Sequence, residues 1–343
     1  PLSVVAYNNY PVWGGQREPL APNEIAFGLD YIRGLRRQNF WITEAIMGAQ
    51  GHDVTGFSPR PNQAKMWACQ GMARGCESLF FFRYRGATKG AEQFCYGILD
   101  ADNVKRRKYY EVQSFFREIR PYAPQLASPI TSQVAILYDY DSLAAFRIQR
   151  QSLTLDCEGE MKKYHKFFYD RNIPVDVIPA RADFSGYKAV ILPQMIVTDP
   201  RLQQRLKDFV QQGGIALLTY RDFVKDLDNN LVLGKQLPLD FDDFAGVCVA
   251  ETESLQEGQN FPLGGEGEWS GATGTPSMGS TQPSPAKPSR RAGSTTWAAG
   301  WTSPCWPVCC RRSAPGRALP GRRPPPGWRW CTAAAARTAS GWS

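Results

Sequence analysis

Over the first 120 positions, short apolar runs alternate with longer stretches in which apolar residues recur every three or four places. The runs predict strands at about Leu2–Tyr7, Phe40–Glu44 and Ser78–Arg83, the last carrying Leu79, Phe80, Phe81 and Phe82 without a break. The periodic stretches predict helices. One starts at Asn23, a good N-cap, with Ile25, Leu29, Ile32 and Leu35 on one face. One runs over Asn62–Gly75 with Met66, Cys69 and Met72 along a stripe, and one over Tyr109–Ile119 with Val112, Phe115 and Phe116 inward. Strands that are apolar on both faces and alternate with helices imply a parallel sheet covered by helices. A closed (β/α)8 barrel takes eight such units, and three are visible. The run starts abruptly, so earlier units are expected to precede Pro1.

Pro121 and the Pro124–Pro129 stretch read as a linker. A second α/β block follows, with strands at Val134–Tyr138, Val175–Ile178, Ala189–Leu192 and Ile215–Thr219. Its helices are expected over Asp156–Arg171 and from Pro200 to Gln212, the second opened by a first-turn proline and stopped by Gly213-Gly214. This pattern is a small doubly wound sheet. A weaker β-like segment is expected at Gly246–Glu251. The expected division is therefore a truncated barrel over 1–122, a doubly wound domain over 130–258 and a tail over 259–343.

Charge changes the reading of the tail. The net charge of +8 hints at a nucleic-acid partner, but residues 264–343 hold ten basic and two acidic side chains, which accounts for all of it. The tail has no Phe, Ile, Tyr, Asn or Asp after Leu263, yet holds seven of the ten Trp. Such a segment buries too little aliphatic surface to offset chain entropy, and it reads as a disordered, Pro/Gly/Arg-rich, out-of-frame continuation. No apolar run approaches the roughly 20 residues of a membrane span, so neither membrane nor nucleic acid is expected as a partner. Cys69, Cys76, Cys95, Cys157 and Cys248 precede the tail without a Cys-x-x-Cys spacing, so no zinc site or disulfide framework is supported. Buried, reduced thiols and a cytoplasmic location are the default.

Glu44 carries the chemistry. It closes the apolar run Phe40-Trp41-Ile42-Thr43 and opens into the loop Gly48-Ala49-Gln50-Gly51-His52-Asp53. A carboxylate at the C-terminal end of a barrel strand is where such folds keep their reactive groups. The other strand-end loops hold Tyr10 and Trp13, then Arg83, Arg85, Glu92 and Cys95. Acid, phenol, guanidinium and aromatic groups together suit a sugar, whose hydroxyls need hydrogen bonds and whose C–H faces need flat partners.

Several segments in order carry a more specific resemblance. Phe40–Glu44 with Gln50-Gly51-His52-Asp53 and Pro59-Arg60-Pro61-Asn62-Gln63 resembles the nucleophile strand of glycoside hydrolase family 42 β-galactosidases. Phe81-Phe82-Arg83-Tyr84-Arg85 and Gly90-Ala91-Glu92-Gln93-Phe94-Cys95-Tyr96-Gly97 resemble the family's last barrel strand and its loop, and Asn9-Tyr10-Pro11 the preceding strand end. The resemblance covers roughly residues 1–258. It implies the C-terminal part of a TIM barrel followed by a flavodoxin-like trimerisation domain, a homotrimer when full length, and no cofactor. It implies that Glu44 is the nucleophile of a retaining β-galactosidase acting on β-galactosides or galacto-oligosaccharides. Tyr10 would hold Glu44 by a phenol hydrogen bond. Glu92 matches a position that binds sugar hydroxyls, Cys95 stands where many members have His, and His52 lies near where others place a Trp against the sugar. Phe82 and Trp13 are candidate walls of the pocket, and Arg83 and Arg85 are expected to pair with carboxylates at the barrel mouth. The family's acid/base, a Glu after Asn on the fourth barrel strand, has no counterpart here, so this chain alone is expected to be inactive.

Two alternatives stay open: a non-catalytic oligomerisation fragment, and an α-L-arabinopyranosidase, whose substrate differs by one hydroxymethyl group. Glutamine amidotransfer is disfavoured, because Cys157 and His165 fall within one helical stretch rather than on a strand-to-helix turn with a facing base.

Overall fold

The computed structural model describes residues 3–150, 156–254, 297–299, 308–312 and 328–332. They belong to two compact units, one holding residues 1–133 and 162–179, the other 134–161 and everything after 179.

The first unit is built on three parallel strands in the order β1-β2-β3, β1 (Ala6–Asn9), β2 (Phe40–Ile46) and β3 (Cys76–Phe82). Each is followed by a helix, α1 (Pro22–Gly34), α2 (Gln63–Ala73) and α3 (Arg107–Ile119), with the short α4 (Ala123–Leu126) after them. The β2 register places Asn8 opposite Glu44 and Ile46 opposite Phe82, so the C-terminal ends of all three strands open at one level. The core lies between the sheet and the helices: Phe40, Ile42 and Ile46 from β2 meet Leu29, Trp67 and Phe115. Full burial of such a side chain is worth about 1.5–3 kcal/mol.

Several local expectations shift. β1 starts later, at Ala6, and Leu2 lies outside the described residues. The N-cap of α1 is Ala21, not Asn23, because Pro22 supplies a pre-set helical φ in the first turn and Glu24 accepts a hydrogen bond from the Ala21 N–H at 3.0 Å. The stripe expected on α2 is met only at Met72, which packs against the core. Ala64, Trp67, Ala68 and Gly71 are buried while Met66 and Cys69 are exposed. Trp67 fills the inner face, and the small residues around it let the helix approach the sheet, where an added Gly71 Cβ would stand 2.6 Å from Ile42 Cδ1. Leu35 and Phe116 are likewise exposed.

A cluster of charged side chains is sealed inside this unit. Asp30 is fully buried and accepts from Arg33 Nη1 at 2.6 Å and from Arg74 Nη1 at 2.6 Å. Its second oxygen also meets His165 Nε2 at 2.8 Å. Arg33 turns its other nitrogens onto Asp176 Oδ1, at 2.7 and 3.1 Å. Burial opposes the charge on Arg33, but Asp30 and Asp176 outweigh it and hold its pKa above the ordinary value. These contacts tie residues 162–179, the end of α6 (Cys157–Tyr169) and β5 (Val175–Pro179), to the first unit.

In the second unit β4 (Val134–Tyr138), β6 (Ala189–Leu192) and β7 (Ile215–Leu218) are parallel, with β6 between the other two. A helix that the periodicity did not reveal, α5 (Tyr140–Ile148), follows β4; it is capped by Asp139, whose carboxylate accepts from the Ser142 N–H at 2.7 Å. α7 (Pro200–Gln211) is capped in the same way by Asp199. Asp222 is buried and accepts from the backbone N–H groups of Met195 and Thr219. The expected strand at Gly246–Glu251 is absent; only an isolated bridge joins Val249 to Leu237, and a short α8 (Asp242–Ala245) precedes it. β8 (Thr252–Ser254) lies before the stretch expected to be an unstructured tail and pairs with β9 (Trp297–Ala299) inside it, where β10 (Val308–Arg312) also pairs antiparallel with β7 and with β11 (Trp328–Thr332). The rest of that expectation lies outside the described residues. Among the described residues no helix is long and apolar enough to cross a membrane.

Candidate active site

Glu44 stands near the end of β2, partly exposed, its neighbours Ile42 and Ala45 turned into the core. Tyr10, at the end of β1, donates its hydroxyl to Glu44 Oε2 at 2.7 Å. The phenol pKa is pushed above its ordinary value, first by burial, then by the hydrogen bond to Glu44 and the charges of Glu44, Cys95 and Glu92. The raised pKa favours the protonated phenol, which donates to Oε2 of Glu44 and leaves Oε1 outside this hydrogen bond.

Rings extend from this pair in both directions. Tyr10 meets Phe82 edge-on with centroids 6.3 Å apart, and meets Trp13 at 5.2 Å. Trp13 in turn meets His52 at 5.6 Å and 85°. Each edge-to-face pair contributes about 0.5–1.5 kcal/mol beyond burial, so the four rings brace one another along one side of Glu44. His52 itself is exposed and free to face a ligand.

Two loops complete the arrangement. The loop after β2 folds back so closely on the Trp13 turn that a Cβ on Gly14 would lie 1.7 Å from the Val54 carbonyl, and one on Gly51 1.9 Å from the same atom. Gly51 also has φ +151, which a side chain rarely adopts. The loop after β3 is fastened to it: the Tyr96 N–H donates to Ala49 O at 3.0 Å, and Gln50 Nε2 donates to Tyr96 O at 2.9 Å. Cys95 is 1% exposed and directs its thiol to Gly51 O at 3.8 Å, so it lies under the loops rather than on their open face. Glu92 sits on the outer part of the same loop and pairs with Arg83 Nη1 at 3.1 Å.

The structure thus gathers Tyr10, Trp13, Glu44, His52, Phe82 and Glu92 at one end of the sheet. Gln50 is the structural residue that sequence reasoning passed over. Nothing in a lone Gln inside a polar loop announces that it will be fully buried as a bridge between two loops. Among the described residues no group of three or more His, Cys, Asp or Glu side chains could hold a metal ion.

Comparison with known proteins follows the same division. Residues 1–122 match the family model described as beta-galactosidase, and residues 132–278 match the beta-galactosidase trimerisation domain. The chain is 35% identical over 256 residues to the beta-galactosidase BgaA of Clostridium cellulovorans, covering 74% of this chain and 39% of that protein. Among solved structures it superposes on the beta-galactosidase of Bacillus circulans sp. alkalophilus with TM-score 0.69 at 26% identity, covering 75% of this chain and 38% of that one. On the enzyme from the Antarctic haloarchaeon Halorubrum lacusprofundi it superposes with TM-score 0.64 at 28% identity, covering 74% and 39%. The chain therefore spans about two fifths of the length of the relatives it matches.

Proposed function

The chain belongs to glycoside hydrolase family 42, the β-galactosidases, as the C-terminal part of their barrel and their trimerisation domain, and we propose that Glu44 is the nucleophile of a retaining β-galactosidase. The observation that carries this reading is the 2.7 Å hydrogen bond from Tyr10 to one oxygen of a carboxylate at a strand end. The free oxygen attacks the anomeric carbon of a terminal β-D-galactosyl residue as the bond to the leaving oxygen breaks. A second carboxyl group, about 5–5.5 Å away, protonates that oxygen. Water then cleaves the galactosyl-enzyme ester, with the second group acting as base. We assign that second group to barrel units that the longer relatives possess beyond the matched span. Glu92 accepts sugar hydroxyls, and the rings of Trp13, His52 and Phe82 wall the sugar.

On this reading the chain by itself turns over no aryl β-galactoside, and turnover that depends on Glu44 would overturn it. In the intact enzyme an activated fluorosugar labels Glu44; labelling elsewhere refutes the assignment. The match to the trimerisation domain supports a homotrimer, which light scattering reads directly.

A further inference from the structure

We propose that Arg83 is a positioning residue for substrate recognition: it fixes the carboxylate of Glu92 so that one oxygen is held by the protein and the other is presented to a sugar hydroxyl. The inference rests on the reading of Glu92 as a sugar-binding group.

The argument starts from the loop that carries Glu92. It leaves the sheet at Arg83 and returns to it at the same residue. Ile98 N–H donates to Arg83 O at 2.7 Å, Leu99 N–H to Tyr84 O at 2.8 Å and Gly86 N–H to Leu99 O at 3.1 Å. Gly97 passes so close that an added Cβ would lie 2.4 Å from Arg83 O. Arg83 is thus the neck of the loop. Further along, the backbone of Tyr96 is fastened to Ala49 and Gln50. These bonds fix the path of the chain but not the side chain of Glu92, which is 46% exposed.

A long carboxylate side chain on an open loop loses rotamer freedom when it binds, and that loss weakens recognition unless something has ordered it beforehand. Arg83 does so. Its guanidinium lies over the Phe82 ring, 4.8 Å from the centroid, and reaches Glu92 Oε2 at 3.1 Å. The ring restricts the guanidinium, and the guanidinium holds the carboxylate as an ion pair rather than by a hydrogen bond. One carboxylate oxygen is occupied and Oε1 is left to accept. The neck of the loop and the cation that meets Glu92 are the same residue. A second consequence is electrostatic. Glu44 and Glu92 both act on the Tyr10 hydroxyl, so they share a neighbourhood, and Arg83 is paired with the second of them.

The test is a double-substitution cycle in the intact enzyme, with an aryl β-galactoside as substrate. Arg83→Gln is expected to raise KM about tenfold while kcat changes by less than about threefold, and Arg83→Lys is expected to recover most of the loss. Arg83→Gln placed on Glu92→Gln is expected to add nothing, since the group it positions is gone. Effects that multiply, or a KM untouched by Arg83→Gln, overturn the proposal. A second measurement needs no catalysis. The dissociation constant of galactose for the intact enzyme is expected to rise about tenfold in Arg83→Gln and alike in Glu92→Gln, and an unchanged value in Arg83→Gln also overturns it. If instead the fluorosugar labels a residue other than Glu44 while Arg83 and Glu92 remain coupled, the nucleophile assignment fails and the positioning role stands.

Discussion

Asp30 and Glu44 are carboxylates of the same unit, and they live in opposite environments. Asp30 has no exposed surface and is surrounded by Arg33, Arg74 and His165, which occupy both of its oxygens. Glu44 is open on one side and has one neutral partner, the Tyr10 hydroxyl, on one oxygen. A buried charge must be paired on every side, because any face left bare costs several kcal/mol of lost hydration. A reacting charge needs the reverse, a bare face held in a fixed direction. The count of partners separates the two: Asp30 joins pieces of the fold, and Glu44 has one oxygen outside the hydrogen bond from Tyr10.

The comparison can be broken at either end. The largest effect is expected from Glu44→Gln in the intact enzyme, which should lose about 10⁴-fold or more in kcat with an unfolding free energy changed by less than about 1 kcal/mol. A Glu44→Gln protein that unfolds early would place Glu44 with Asp30. Asp30→Ala is the converse. It leaves Arg33, Arg74 and His165 facing an empty site and should cost about 3–5 kcal/mol in urea unfolding of this chain. A loss near zero would mean that the cluster is ornamental. Tyr10→Phe comes next: losing the hydrogen bond to a charged group corresponds to about 10–100-fold in kcat with little change in stability.

The smallest effect is a pH dependence. The Tyr10 phenol is raised above its ordinary value, first by burial and then by Glu44, so the folded protein keeps this proton where the unfolded chain gives it up. Above about pH 10 the unfolded state binds fewer protons and gains on the folded one, so stability falls as pH rises. Urea midpoints measured on either side of that pH should decline less steeply for Tyr10→Phe than for the parent chain. An equal decline would remove Tyr10 from the account.

Much of the fold was legible because its strands are continuous apolar runs. Ala189–Leu192 is almost wholly buried, Leu79-Phe80-Phe81-Phe82 is as apolar although Phe80 faces outward, and β4 and β6 fall where the apolar runs predict them. Helix faces were less legible. On α2 a stripe of methionine and cysteine competes with Trp67, and only packing decides which side meets the sheet. α5 went unseen although Asp139 and Ser142 carry a cap signal, since its apolar residues Leu143 and Phe146 are few. The closeness of Tyr10 to Glu44 was legible from the strand-end motifs that carry them. The charged core was not, because Arg33 and Asp176 are 143 residues apart in sequence and nothing local marks them as partners.

The two glycines facing Val54 have a consequence for how this protein tolerates change. Gly14 and Gly51 carry no side chain to offer a substrate, yet any side chain there would occupy space already filled by a carbonyl. In a saturation library selected for galactoside growth, positions 14 and 51 should be as empty of substitutions as position 44. Glu44 would be invariant for what it contributes, and these two for what they leave out.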